Sequence, residues 1–177
     1  MSRFLTSSSA SLHTLQSLPE DCMIVVFSPA MPPLDSDSKA KESKGENADP
    51  FESFGRAIGQ KHARVSHVAY VPAVGYTDKH RTWTLQAHAI ITIVCEPPVG
   101  AGIGKRDDSI ANQQRFSMAV SDTVRTLRTA DGDQLTMSAL YCGEDRSSSP
   151  SGYQNLVHCP SYTKADLKSA AGLLMGC

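Results

Sequence analysis

Cys95-Glu96 and Cys142-Gly143-Glu144 set a potential nucleophile beside a carboxylate at the end of an apolar run. A thiol attacks an electrophilic carbon once a base takes its proton, and His67, His88 or His158 could be that base. Glu96, Glu144 or Asp145 could in turn orient the imidazole. A carboxylate on its own offers acid–base chemistry, and Glu96 with Glu144 is the one pair that the strand pattern could bring together for glycoside hydrolysis. No family-specific signature surrounds either cysteine. The competing reading of a strand-end thiol is a small buried hydrophobe. The competing reading of the two acids is a pair of solvated loop groups.

Other constellations carry less. Gly100-x-Gly102-x-Gly104-Lys105 follows an apolar run and precedes a helical stretch, as a phosphate loop should. It matches neither G-x-G-x-x-G nor G-K-[ST], because Asp107 and Arg106 stand at the deciding positions. A flexible connector is the alternative. Serine catalysis lacks a G-x-S-x-G elbow. Ser28 ends a strand, but Pro29 follows it and has no N–H to offer an oxyanion. Zinc ligation by the strand-end cysteines and His158 is disfavoured, since His158 and Cys159 are adjacent and point to opposite faces of a strand. No metal and no cofactor is expected.

These residues owe their interest to the elements that end at them. Four apolar runs stop abruptly in small, thiol or proline turns: 23–28 before Pro29, 65–71 before Pro72, 90–95 before Glu96-Pro97, and 135–142 before Gly143. A weaker fifth covers 155–159. The run at 90–95 has no polar face, as befits a strand buried on both sides. Helical patterns separate most of the runs. Phe51, Phe54 and Ile58 share one face over 51–61, and Thr77 with Asp78 caps a helix reaching His88. Ile110, Phe116, Val120, Val124 and Leu127 form the stripe of a helix over 109–129. Thr163 caps a last helix over 164–175 that turns Leu167, Ala170, Ala171 and Leu174 inward. A short helix over 11–18 with Ser11 as cap precedes the first strand, and residues 1–9 look loose.

The succession predicts an α/β three-layer sandwich with a mostly parallel five-stranded sheet, flavodoxin-like or Rossmann-like. Residues 22–177 form its single domain, after an N-terminal tail and short helix over 1–21. Ligands bind such sheets at the carboxyl ends of the strands. That places Cys95, Glu96, Cys142 and Glu144 as candidates for chemistry, with Ser28, Pro72, Tyr76 and Gly143 lining the same crevice. The polar stretch 30–50 cannot bury enough surface to offset its ordering entropy. It is expected to be a mobile insertion, with a lid over the crevice as the alternative.

Composition narrows the partners. The chain has 177 residues, a formal net charge of −1, and only 6% aromatic residues. Neither bulk attraction to nucleic acid nor a stacking platform for single strands is indicated. No apolar run approaches the roughly 18 residues of a membrane span. The five cysteines form no C-x-x-C pair, and the N-terminus lacks a secretory h-region. Both favour a cytoplasmic setting. A small molecule or a protein is the expected partner, with a homodimer as an option.

The stretch from Val65 to Glu96, Ala111-Asn112-Gln113-Gln114-Arg115-Phe116, Ala139-Leu140-Tyr141-Cys142-Gly143 and Cys159-Pro160-Ser161-Tyr162-Thr163 give the chain a familiar texture. It resembles the C-terminal α/β region of fungal family 3 glycosidase-like proteins of the β-N-acetylhexosaminidase type, over residues 22–177. In that family the nucleophile and acid/base come mainly from a preceding barrel of about 200 residues or more. The resemblance therefore implies an accessory layer without its barrel. The role that the resemblance implies is binding or interaction, sugar-related and non-hydrolytic. The alternative is a small enzyme that uses a strand-end Cys or Glu in the crevice.

Overall fold

In the computed structural model, residues 1–31, 49–97, 103–128, 135–144 and 149–176 are described. They form six strands, β1 (Arg3–Thr6), β2 (Ile24–Pro29), β3 (Val65–Tyr70), β4 (Ala89–Cys95), β5 (Thr136–Cys142) and β6 (Asn155–Cys159). The helices are α1 (Ser9–Gln16), α2 (Glu52–Gly59), α3 (Asp78–Gln86), α4 (Ile103–Arg128) and α5 (Lys164–Met175).

The strands make one sheet in the order β1-β6-β5-β4-β2-β3. All neighbours run parallel except β1, which is antiparallel to β6. Without β1, the order is that of a flavodoxin-like doubly wound sheet, and its direction of winding reverses between β2 and β4. Alternation along the strands builds two cores. Ile24, Val26, Ile91, Ile93, Leu140 and Val157 face α1, α2 and α5, with Leu15, Phe54, Ile58, Leu167 and Leu174 packed on them. Val25, Phe27, Ile90, Val94, Ala139 and Tyr141 face the other way, toward Phe116 and Val120 of α4, with Trp83 of α3 at the margin. Both faces of β4 are fully buried, which is why its sequence is an unbroken apolar run.

Five strands are those that the apolar runs predict, and the sheet has a sixth. The segment expected to be loose contains β1, where Phe4 packs on the first core and Leu5 on the second. Ser2 ties its start down, with Oγ 3.4 Å from Cys159 Sγ and 3.1 Å from the Asp166 carbonyl it donates to. The helix that follows starts two residues before the expected one. Ser8 is its cap, and Ser11 Oγ accepts instead from Asn155 Nδ2. The last helix matches its expected span, with Thr163 Oγ1 accepting from the Asp166 N–H.

α4 begins at Ile103, six residues before the expected start. Gly104 and Lys105 therefore lie inside a helix and do not belong to a glycine loop. A glycine lowers helix propensity by about 1 kcal/mol, a cost that packing along a 26-residue helix overrides. Most of the insertion at 30–50, and with it the lid alternative, lies outside the described residues, as does Asp145.

Candidate functional site

β2 and β4 part company at their carboxyl ends. Their pairing stops at Phe27 opposite Thr92, although β2 continues to Pro29 and β4 to Cys95. A ligand would enter such a split at a winding reversal. The backbone groups bared there must find partners, and side chains of this chain supply them. Tyr70 Oη donates to the Ile93 carbonyl at 2.8 Å. Gln113 Oε1 accepts from the Cys95 N–H at 2.8 Å, and its Nε2 donates to the Cys95 carbonyl at 2.8 Å. Phe116 stacks on Tyr70 with ring centroids 3.7 Å apart. Burial drives the Tyr70 phenol well above its ordinary pKa. The split is filled by Tyr70, Gln113 and Phe116.

The sheet divides the residues that the sequence grouped into one crevice. Cys95 and Cys142 face α1, α2 and α5. Ser28, two residues after Val26, lies on that same side. Glu96 turns the other way, to Tyr141, and Tyr76 packs on the second core. Tyr76 Oη donates to Thr84 Oγ1 at 3.0 Å. Pro72 is half-buried just beyond β3, and Glu144 is exposed.

Cys95, Cys142 and Cys159 stand side by side, Cys95 opposite Cys142 and Cys142 opposite Cys159. All three are essentially inaccessible. Burial holds the Cys142 thiol well above its ordinary pKa. Hydrogen bonding with Cys142, and then burial, raise that of Cys159. A thiol held neutral is a weak nucleophile. The expected bases lie elsewhere. His88 is at the amino end of β2, where Nδ1 accepts from the Met23 N–H. His158 sits on the opposite face of the sheet from Cys159. Among the described residues no group of three or more His, Cys, Asp or Glu could hold a metal ion.

His67 pairs with Ser28. Ser28 Oγ lies 2.7 Å from His67 Nε2, and Asp49 Oδ2 lies 3.6 Å from the same nitrogen. In a serine triad the acid holds the other ring nitrogen; here both partners share one. Desolvation lowers the His67 pKa, with Asp49 and then Glu52 pulling it back up. Ser28 is fully buried. Pro29 has no N–H, and the Ala30 N–H is spent on the Tyr70 carbonyl at 2.7 Å. Neither can serve as an oxyanion donor for Ser28.

The polar cluster at the carboxyl ends of β4, β5 and β6 has a different character. Glu96 is 7% exposed, and its Oε1 accepts from Tyr141 Oη at 2.6 Å. Gly143 packs directly on this carboxyl group: a Cβ at Gly143 would fall 2.4 Å from Glu96 Cδ. On its other side, the Gly143 carbonyl accepts from His158 Nε2 at 2.7 Å. The His158 ring lies 6.2 Å from that of Tyr141, inclined by 26°. His158 Nδ1 is buried and has no hydrogen-bond partner among the described residues. Glu96 and Gly143 thus lie against one another, Glu144 follows as an exposed residue, and Cys95 and Cys142 lie behind the sheet. Tyr141 and Gln113 are the members that sequence reasoning missed. Gln113 carries a readable signal, because it interrupts the apolar stripe three residues from both Ile110 and Phe116.

No protein-family model matches the chain, and no curated protein matches it. Solved structures do. The chain is similar to a β-glucosidase from Listeria innocua in complex with gluconolactone, with a TM-score of 0.56 and 12% identity over 99% of this chain and 23% of that one. A variant of that enzyme in complex with laminaribiose aligns with a TM-score of 0.54 at the same identity and coverage. A further crystal structure of that β-glucosidase aligns with a TM-score of 0.52 at the same identity and coverage. The chain spans about a quarter of the length of these structures, and what it shares with that portion of them is the α/β fold.

Proposed function

We propose that this chain is a binding module that holds a small sugar-type ligand, without hydrolysing it, at the carboxyl ends of β4, β5 and β6. In architecture it corresponds to the accessory layer of family 3 glycosidase-like proteins. The observation that carries the reading is the buried Glu96 carboxylate, clamped between Tyr141 Oη and Gly143, with His158 on the far side of the same glycine. Carboxylates, hydroxyls and imidazoles fixed in a largely apolar setting are the usual means of orienting a polar ligand. The fold shared with part of a β-glucosidase supports a sugar over other polar ligands. A non-hydrolytic role is supported by the three inaccessible thiols and by the exposure of Glu144, which leaves Glu96 as the one enclosed carboxylate of the cluster among the described residues.

A thermal-shift panel of sugars, nucleotides and acyl thioesters tests this, because a ligand of the native state raises the melting temperature. Sugars should raise it, and Glu96→Gln or Tyr141→Phe should abolish the shift. A response to nucleotides alone would sink the reading, and silence across all three classes would favour a protein partner. The second reading is an enzyme with Glu96 as acid/base, favoured by the 2.6 Å bond that ties a buried carboxyl group to a phenol. Turnover of nitrophenyl glycosides that is lost in Glu96→Gln would establish it.

A further inference from the structure

Resting on the ligand site just proposed, we infer that His158 Nδ1 is the acceptor that reads the ligand, taking a hydrogen bond from a hydroxyl or protonated amine of the sugar. The argument begins at the other ring nitrogen. His158 Nε2 lies 2.7 Å from the Gly143 carbonyl oxygen. A carbonyl can only accept, so Nε2 carries the hydrogen. In the neutral ring Nδ1 then presents a lone pair. That lone pair belongs to a residue only 7% exposed, and it has no partner among the described residues. Buried polar atoms are bonded in the large majority of cases, and each exception asks for an explanation.

The neighbours of His158 define what would satisfy it. Gly143, whose carbonyl fixes the ring, is the residue against which the Glu96 carboxyl group packs, and exposed Glu144 follows directly. The described groups around it are the Nδ1 lone pair, the carboxylates, and Arg3 opposite His158 in the β1–β6 register. A hydroxyl or an ammonium group supplies the missing donor. The shared chemistry is an O–H or N–H donor on a sugar ring, and comparison of glucose with glucosamine separates the two sources.

The test is a titration of the full chain, labelled with 15N in its histidines, with glucose and glucosamine. Nitrogen NMR reads each ring nitrogen separately. Glucose or glucosamine should move the His158 Nδ1 resonance and leave Nε2 nearly in place. His158→Phe should weaken binding of the preferred sugar by about tenfold, the effect of one lost hydrogen bond. His158→Gln, which supplies both an N–H and a carbonyl, should recover part of that loss. Sugar binding that is unchanged in His158→Phe overturns the inference and leaves the ligand site standing. An Nδ1 resonance that bound sugar does not move also overturns it, and marks water as the partner. Absence of binding by every sugar overturns the site and the inference together. Should His158→Phe fail to fold, the Nδ1 resonance of the unmodified chain decides alone.

Discussion

Gln113 closes both backbone groups of Cys95 with one side chain, its Oε1 on the N–H and its Nε2 on the carbonyl, each at 2.8 Å. This is the bonding that a neighbouring strand would have provided had β2 stayed paired with β4 beyond Thr92. Tyr70 does the same for the Ile93 carbonyl. Two side chains, one from the end of β3 and one from α4, therefore complete the central strand.

Replacing Gln113 by Leu keeps its volume and removes both bonds. The Cys95 N–H and carbonyl would then be buried without partners, each at a cost of about 1–3 kcal/mol. Gln113→Leu should lower unfolding stability by about 2–4 kcal/mol in a denaturant titration. Gln113→Glu should also destabilise, because a carboxylate accepts from the N–H but cannot donate to the carbonyl. A Leu variant as stable as the parent would mean that the split relaxes into regular β2–β4 pairing.

Gly143 makes a second prediction. A Cβ there would stand 2.4 Å from Glu96 Cδ and 2.7 Å from Oε1. The carboxyl group cannot withdraw without losing the Tyr141 bond. Gly143→Ala should therefore cost about 2 kcal/mol or more, as overpacking does in cores. Glu96→Ala empties the space that the new methyl needs, so in the double variant the penalty of Gly143→Ala should shrink. The coupling energy of that cycle, measured by chemical denaturation, is the readout. Additive penalties would show that Glu96 and Gly143 do not press on one another.

The strands were legible because apolar runs bounded by Pro, Gly and Cys have few other readings. β1 was not, since four residues with a mixed burial pattern look like a tail until β6 supplies the partner. The site was harder to read for a geometric reason. Cys95 and Glu96 are neighbours in sequence, yet Cys95 faces one helical layer while Glu96 meets Tyr141 on the other side. Strand ends mark a rim, and alternation decides which side of the rim a residue serves. The filled split was readable only in part. Gln113 betrays itself as a polar residue at a core position of α4, but its partner 18 residues away follows from the tertiary fold alone.

The thiols yield a prediction about reactivity. Cys22 is partly exposed, whereas Cys95, Cys142 and Cys159 are buried. Under native conditions an alkylating reagent should modify Cys22 and leave these three untouched until the chain unfolds. Mass spectrometry of the modified peptides reads the order directly. Rapid modification of Cys95 or Cys142 in the folded chain would contradict their burial and revive a nucleophilic role. Stability should follow the same logic at high pH. Cys142, Cys159, Tyr70 and Tyr153 all have pKa values raised in the folded state. Their contribution is full below the unfolded values, roughly 8.5 for the thiols and 10 for the phenols, and is lost as pH rises past them.

His67 governs the acid side. Desolvation beside Ser28 lowers its pKa below the ordinary 6.5, and the partial countering by Asp49 and Glu52 does not reverse the direction. The unfolded chain therefore takes up a proton at His67 before the folded chain does. A group of this kind stabilises fully above its unfolded value, and the contribution falls as pH drops through about 6.5 toward the folded value. His80 is lowered as well, chiefly by desolvation, and adds to the same slope. Wild-type stability, measured by denaturant titration between pH 8 and pH 5, should decline over that window. In His67→Gln the decline should be shallower, because Gln retains a hydrogen bond to Ser28 Oγ and carries no titrating proton. An unchanged slope in that variant would mean that the folded chain protonates His67 as readily as the unfolded one. The Asp49 carboxylate, 3.6 Å from Nε2, would then outweigh burial in setting the charge of the ring.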